Sequence, residues 1–384
     1  MTILINPKGN NPFSELKAIE TPVWCAMLAQ DGDTIIDNEV SPIAETGNNS
    51  EILIVVMGNN PSVSSTPKMP EAYKLLKKYP NAKLTGLHPM ATGEATFTIP
   101  PAEELSKIKR ARWELLDMSK YRAHNWHCLQ DLNSRGGYAS LYTSFGCPFD
   151  CSFCNIHTIY RNRSVYYRNP QDVIAEIDLL VNKYGVKNLK FCDELFTLNK
   201  EHVTAICSGI KDYHLNIWAY ARVGTVDRKL LYTMKEAGIN WLCYGFESGN
   251  PAIRDGVSKH YGDILETVEM TRDAGINING NFMFGLPGDT MATMAETLQM
   301  ADRLNCEWVN FYCAMPYPGS KLYKGENKDW GSYNQLENTA VAPEVKKFRD
   351  WAFTRYFTNP KYLKMIKEKF GDKAVEHINM MVNL

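Results

Sequence analysis

The stretch SFGCPFDCSFCNIHTIYR, residues 144–161, carries Cys147, Cys151 and Cys154 in the spacing CxxxCxxC. Thiolates are soft ligands that suit zinc, copper(I) and iron–sulfur clusters. Structural zinc takes four protein ligands, commonly as two CxxC pairs. The sequence has no matching second pair, and His157, three residues after Cys154, is the candidate fourth ligand. A [4Fe–4S] cube has four irons, so three cysteines leave one iron open for a substrate or cofactor. Gly146 and Pro148 let the backbone turn tightly around such a cluster. A zinc site and a loop with incidental thiols are the competing readings.

Such a loop needs rigid elements beneath it. Apolar, β-branched and aromatic runs recur at residues 138–145, 188–196, 216–223, 241–248, 277–287 and 307–318, with amphipathic segments between them. In residues 169–185 the apolar positions Val173, Ile174, Ile177, Leu180, Val181 and Tyr184 form one helical face. Asn169 suits the cap, Pro170 the first turn and Gly185 the exit. Residues 227–238, 262–275 and 290–305 repeat the theme. Six strands alternating with helices predict an α/β fold of parallel βα units, as a six-unit partial barrel or a doubly wound sheet. Active residues then belong at the carboxyl ends of the strands.

Residues 1–105 read as a small Rossmann-like domain, with strands at 2–6, 34–40, 51–58 and 82–89 and helices at 14–32 and 69–80. Residues 106–137 read as a helical connector, 138–324 as the barrel and 325–384 as a helical C-terminal region. Of the other cysteines, Cys192, Cys243, Cys306 and Cys313 read as core thiols, while Cys25, Cys128 and Cys207 are isolated.

The loop CPFDCSFC, with Phe153 before its last cysteine, is similar to that of the radical S-adenosylmethionine (radical SAM) enzymes. FCDELFTLN, GFESGNPAIRDGVSK, NFMFGLPGDT and MPYPGSKLY extend the resemblance over residues 138–323. Together they resemble the branch whose members often carry an N-terminal cobalamin-binding domain. The resemblance implies a partial (β/α)6 barrel and a [4Fe–4S] cluster on Cys147, Cys151 and Cys154. S-adenosylmethionine would chelate the fourth iron and be cleaved by one electron to a 5′-deoxyadenosyl radical, which abstracts hydrogen from the substrate.

The resemblance also implies roles for other residues. Phe153 would lie near the adenine, and Asp193 or Glu194 would accept from the methionine ammonium. Arg222, Glu247 and Ser248 would contact the carboxylate or ribose. Gly285 would let backbone approach the adenine, with Asp289 capping the next helix. Tyr312 and Tyr317 would face the substrate. Each residue has a packing or ion-pair reading beside the functional one, and Lys259 reads equally as a surface charge.

Cobalamin is the further cofactor candidate. Residues 57–66, MGNNPSVSST, supply small and polar groups that could face a corrin, but no Asp-x-His-x-x-Gly ligand motif is present. His88 resembles the end of a cobalamin-domain strand, and a plain loop histidine is the simpler reading. The reaction would be a cobalamin-dependent methylation of an unactivated carbon. A cobalamin-independent cyclisation or rearrangement and a non-catalytic metal-binding module are the alternatives.

A net charge of -1 over 384 residues gives no electrostatic case for nucleic acid or an acidic membrane surface. No run approaches a transmembrane length, and the N-terminus lacks a signal-peptide pattern. The expected setting is the cytoplasm, where thiols stay reduced. The expected partners are a small-molecule or peptide substrate and a flavodoxin- or ferredoxin-type electron donor.

Overall fold

The computed structural model describes residues 1–9, 18–41, 50–325, 329–335, 337 and 340–383. The chain forms two compact units from interleaved segments. The first comprises Met1–Ala123, Gly136–Glu194 and Pro316–Ala340, and the second His124–Arg135, Leu195–Met315 and Val341–Leu384.

In the first unit, β1 (Thr2–Asn6), β2 (Thr34–Asp37), β3 (Glu51–Val56) and β4 (Lys83–Gly86) make a parallel sheet in the order β2-β1-β3-β4. This is a doubly wound order. β3 is buried at every position after Glu51, as expected of a parallel strand covered on both faces. The helix expected over 69–80 runs Met69–Lys78. The one expected over 14–32 is reduced to Val23–Leu28; its residues 14–17 lie outside the described residues.

The expected helical connector, 106–137, holds only single 3-10 turns at Trp113–Leu115, Met118–Lys120 and Trp126–Cys128. Long-range hydrogen bonds replace helical ones in its first part. Buried Glu176 accepts from Ala111 N at 2.8 Å and from Trp113 Nε1 at 2.7 Å. Arg168 donates to the carbonyls of Ile108 and Lys109 at 3.1 and 2.8 Å, and its guanidinium pairs with Glu176 at 2.7 Å. Residues 108–112 take no regular structure, and these tertiary partners stand in for helical hydrogen bonds.

The same unit holds β5 (Tyr138–Leu141), β6 (Ser144–Phe145), β7 (Tyr166–Tyr167) and β8 (Asn188–Phe191). β5 and β8 pair in parallel. β6 and β7 pair antiparallel and close the base of the cysteine loop. The helix Pro170–Tyr184 takes its cap from the Asn169 side chain and ends at left-handed Gly185, as its sequence requires.

The second unit holds β9 (Asn216–Ala221), β10 (Ile239–Glu247), β11 (Asn277–Phe284) and β12 (Trp308–Cys313), paired in parallel in that order. Asp227, Asp263 and Thr290 cap the helices Arg228–Glu236, Ile264–Asp273 and Met291–Leu304. One sheet face packs on helices: Phe284 meets Phe348 with ring centroids 5.0 Å apart, and Phe311 meets Tyr356 at 5.8 Å. On the other face Trp126 gathers Trp218, Trp241 and Trp308 within 5.6, 5.7 and 6.3 Å. The expected C-terminal helices run Pro343–Phe357, Pro360–Phe370 and Asp372–Val382. Among the described residues no helix is long and apolar enough to cross a membrane.

Candidate functional site

None of the ten cysteines is in a disulfide; Cys147, Cys151 and Cys154 are half-buried and the other seven are buried. The chain thus keeps partial solvent access for one set of thiols. Burial raises the Cys154 thiol and pushes Cys147 up to about 12, and a bound metal would favour their thiolates. Gly146 has φ +105°, and a Cβ there would collide with the Ser164 carbonyl across the hairpin base. Only glycine fits that entrance to the loop.

Four further segments of the first unit bear on the loop. Ser62, in the short helix Pro61–Ser64 after β3, has its hydroxyl 3.8 Å from Cys154 Sγ. Buried Asn155 donates to the Pro318 carbonyl at 2.8 Å, and left-handed Gly319 sits where a Cβ would meet Thr158 Oγ1 and Ala91. Lys321 pairs with Asp150 at 2.5 Å. Buried Tyr160 donates to Glu194 Oε1 at 2.8 Å, and Gly146 N donates to Glu194 Oε2 at 3.2 Å. Burial pushes the Glu194 carboxyl up to about 8, opposed by these bonds.

Asp193 is placed differently from its neighbour. It is fully buried and accepts from Thr143 N at 2.7 Å, Thr143 Oγ1 at 2.6 Å and Ser144 Oγ at 2.6 Å. It pins the turn between β5 and β6, and that turn breaks the expected strand over 138–145. Burial raises its pKa against those same donors. His157 places Nε2 2.7 Å from the Phe149 carbonyl and Nδ1 3.1 Å from the Asn162 carbonyl. Both ring nitrogens are turned to backbone oxygens, so His157 is not a fourth metal ligand in this arrangement. Phe153 is half-buried in the loop, whereas Tyr317 is buried with its ring 6.0 Å from that of Tyr333.

In the second unit, Glu247 ends β10 at φ +61°, unusual for a side chain with a Cβ. Its carboxylate pairs with Lys259 Nζ at 2.8 Å, and both residues are buried. Lys259 is therefore a buried partner and not a surface charge. Gly245 makes the room: a Cβ there would strike the Glu247 carboxylate and lie 2.9 Å from Lys259 Nζ. Arg222 donates to the His260 carbonyl at 2.7 Å. The Arg222 and Arg254 guanidiniums lie 5.8 and 5.4 Å from the Tyr261 ring centroid.

Ser248 is fully buried, bonds Thr297 Oγ1 at 3.1 Å and accepts from Asn250 N at 3.1 Å. Gly285, at φ +79°, donates to Asp289 Oδ2 at 2.9 Å. Asp289 ties this turn, while Thr290 caps the following helix, which corrects the expected capping role. Tyr312 is half-buried on β12.

Among the described residues no three His, Cys, Asp or Glu side chains converge to hold one metal ion. Thiolates on a cubane each bind a different iron, so they need not converge on a point as zinc ligands must. Three free, half-buried thiols on a clamped loop fit such a cluster.

Residues 141–301 match the family model of the radical SAM superfamily. The chain is 28% identical over 287 residues to an uncharacterized methyltransferase of Pyrococcus horikoshii, covering 71% of this chain and 60% of that one. It is 29% identical over 251 residues to the anaerobic magnesium-protoporphyrin IX monomethyl ester cyclase of Rubrivivax gelatinosus, covering 62% and 43%. The chain thus spans less than two thirds of these curated relatives. The solved radical SAM methyltransferase TsrM of Kitasatospora setae, with cobalamin and a [4Fe–4S] cluster bound, superimposes with a TM-score of 0.58 at 16% identity, covering 84% of this chain and 76% of that one. This likeness carries the expected α/β class, with all six βα strands present around the matched residues.

Sequence reasoning missed Tyr160, Ser62 and Lys259 as neighbours of the loop and of Glu247. Lys259 had a local signal, twelve residues after an acid at a strand end. Tyr160 and Ser62 had none, because their partners lie 34 and 92 residues away.

Proposed function

We propose that this protein is a radical SAM enzyme that uses its three-cysteine loop to cleave S-adenosylmethionine reductively and functionalise an unactivated carbon. The observation that carries the reading is the selective exposure of Cys147, Cys151 and Cys154 on a loop clamped at its base and backed by Glu194. A cluster bound there supplies one electron to the sulfonium. The chain's own residues do the rest. Glu194 retains lone pairs beyond its bonds to Tyr160 and Gly146 for an ammonium group. Gly285 makes room for Val345, which lies where its side chain would be, and leaves its backbone for the approach of a flat base. Arg222 and Glu247 stand at strand ends for a carboxylate or ribose.

The methyltransferase subtype rests on the first domain. Doubly wound sheets bind ligands at their carboxyl edge. Here that edge carries half-buried Asn60, Ser62 and Ser64, with Ser62 beside Cys154. These groups fit a cobalamin held next to the cluster loop. A second reading, cobalamin-independent chemistry, draws on the ends of β1 and β2. Buried Lys68 donates to Asn6 Oδ1 at 2.7 Å, Asn6 donates to Asp37 at 2.7 Å, and Tyr121 donates to Asp37 at 3.1 Å, filling part of that edge. The proposed setting is the cytoplasm, with a small-molecule or peptide substrate and an acidic flavodoxin- or ferredoxin-type donor.

The test is anaerobic reconstitution with iron and sulfide, followed by reduction in the presence of S-adenosylmethionine. The wild type is expected to bind about four irons per chain and release 5′-deoxyadenosine. Cys147→Ala is expected to lose both. Equal product from Cys147→Ala and wild type would overturn the reading. Cobalt content after growth with cobalamin separates the two subtypes.

A further inference from the structure

The face of the sheet β9–β12 that Trp126 covers carries a network of amides that neither the packing nor the proposed reaction explains. Asn279 and Asn281 of β11 share this face with Trp308 and Asn310 of β12, because side chains two apart on a strand point the same way. In the strand register, Asn279 lies beside Trp308 and Asn281 beside Asn310.

An indole nitrogen is a donor and never an acceptor. Trp308 Nε1 donates to Asn310 Oδ1 at 3.1 Å, which fixes the orientation of the Asn310 amide. Its NH2 group then donates to Asn279 Oδ1 at 3.1 Å and to Asn281 Oδ1 at 2.9 Å. Both hydrogens are used, and both receiving amides must turn oxygen toward Asn310. Their own NH2 groups therefore project away from the network. Amide orientation is otherwise ambiguous in such networks; here one tryptophan settles all three.

Asn279 is 1% exposed, and its Nδ2 has no hydrogen-bond partner among the described residues. A donor buried without a partner costs stability, and a sequence that served packing alone would place an apolar residue there. Asn281 projects the same group two residues on, about 7 Å away. Its cross-strand neighbour is Gly245, where the buried Glu247–Lys259 pair takes the space a side chain would fill. Half-buried Tyr312, two residues past Asn310 on the same face, offers a flat apolar surface.

We propose that Asn279 and Asn281 bind an organic ligand through carbonyl-type acceptors carried on a flat, largely apolar body. Both groups are donors, so the edge of the ligand they meet carries acceptors, such as a carbonyl oxygen or a ring nitrogen. That this ligand is the substrate rests on the radical reading above; the binding itself does not.

The test titrates the full-length protein, labelled with 15N at asparagine, with isonicotinamide. This probe has a carbonyl oxygen and a ring nitrogen at opposite ends of one ring. Toluene, which has neither, is the control. The side-chain NH2 signals of Asn279 and Asn281 are expected to shift with isonicotinamide and not with toluene. Asn281→Asp keeps an oxygen facing Asn310 and deletes the projected donor. It is expected to weaken the probe at least tenfold while leaving the thermal melt within a few degrees of wild type. Asn279→Asp is the second variant, with the same expectation. Equal responses to both probes, no shift, or wild-type affinity in either folded variant would overturn the proposal. So would failure of both variants to fold, which would make the amides structural. No cluster or S-adenosylmethionine enters the titration, so its failure is distinguishable from a failure to bind iron or release 5′-deoxyadenosine.

Discussion

His88 is fully buried between Thr66, whose hydroxyl lies 3.0 Å from Nδ1, and the Trp330 ring at 4.5 Å. Burial pushes its pKa down to about 4 from 6.5, outweighing the pull of Glu94. The folded protein therefore keeps the imidazole neutral, and the unfolded chain takes up its proton first. The contribution is fully present above pH 6.5 and is lost as pH falls toward 4, at a cost on the order of 3 kcal/mol. Thermal melts should fall over that window, and His88→Asn should flatten that part of the profile. An unchanged pH profile in the variant would remove His88 from the account. The burial of His88 was not legible in GLHPMATGE, because Trp330 comes from a segment more than 240 residues later. The three cysteines stood out by their local spacing, and the structure places them half-buried on one loop. Glu247 was legible as a strand-end acid, but its left-handed backbone and its pairing with Lys259 were not, because both depend on the bulge near Gly245.

At the level of elements, the helix Pro170–Tyr184 follows from its cap, first-turn proline and exit glycine, and these local rules agree with the packed face. The strap over 106–113 shows the opposite case. Its Lys, Arg and Ala content is compatible with helix, yet hydrogen bonds to Glu176 and Arg168 take the place of helical ones. Arg168 also donates to the Tyr142 carbonyl at 2.8 Å, so one buried guanidinium joins the strap to the strand that leads into the cysteine loop. Removing Glu176 would leave that guanidinium buried without its counter-charge. Glu176→Ala should cost about 3–5 kcal/mol, read from urea melts, and should make the 106–113 backbone exchange hydrogen faster. A loss under 1 kcal/mol would mean that the carbonyls alone hold Arg168.

At the level of the whole molecule, membership of a unit departs from sequence order. Residues Pro316–Ala340 follow the last βα strand yet belong to the first unit. Within it Trp330 packs on His88 and, at 5.2 Å, on Tyr333. Trp330→Ala should destabilise by about 3–5 kcal/mol. Hydrogen exchange should quicken in Met69–Lys78 and Leu87–Thr92 while β9–β12 keep their protection. Equal loss in both sets would show that the units open together. The alternation of six strands and helices revealed the βα architecture, because period and turn chemistry are local. The exchange of segments between units is a long-range choice with no local mark.

That interleaving bears on synthesis. The ribosome releases residues 1–194 well before Pro316–Ala340 exists, and at ordinary translation speed the gap lasts on the order of ten seconds. During that interval the nascent first unit lacks the segment that carries Trp330, so His88 waits for the ring that packs against it in the finished protein.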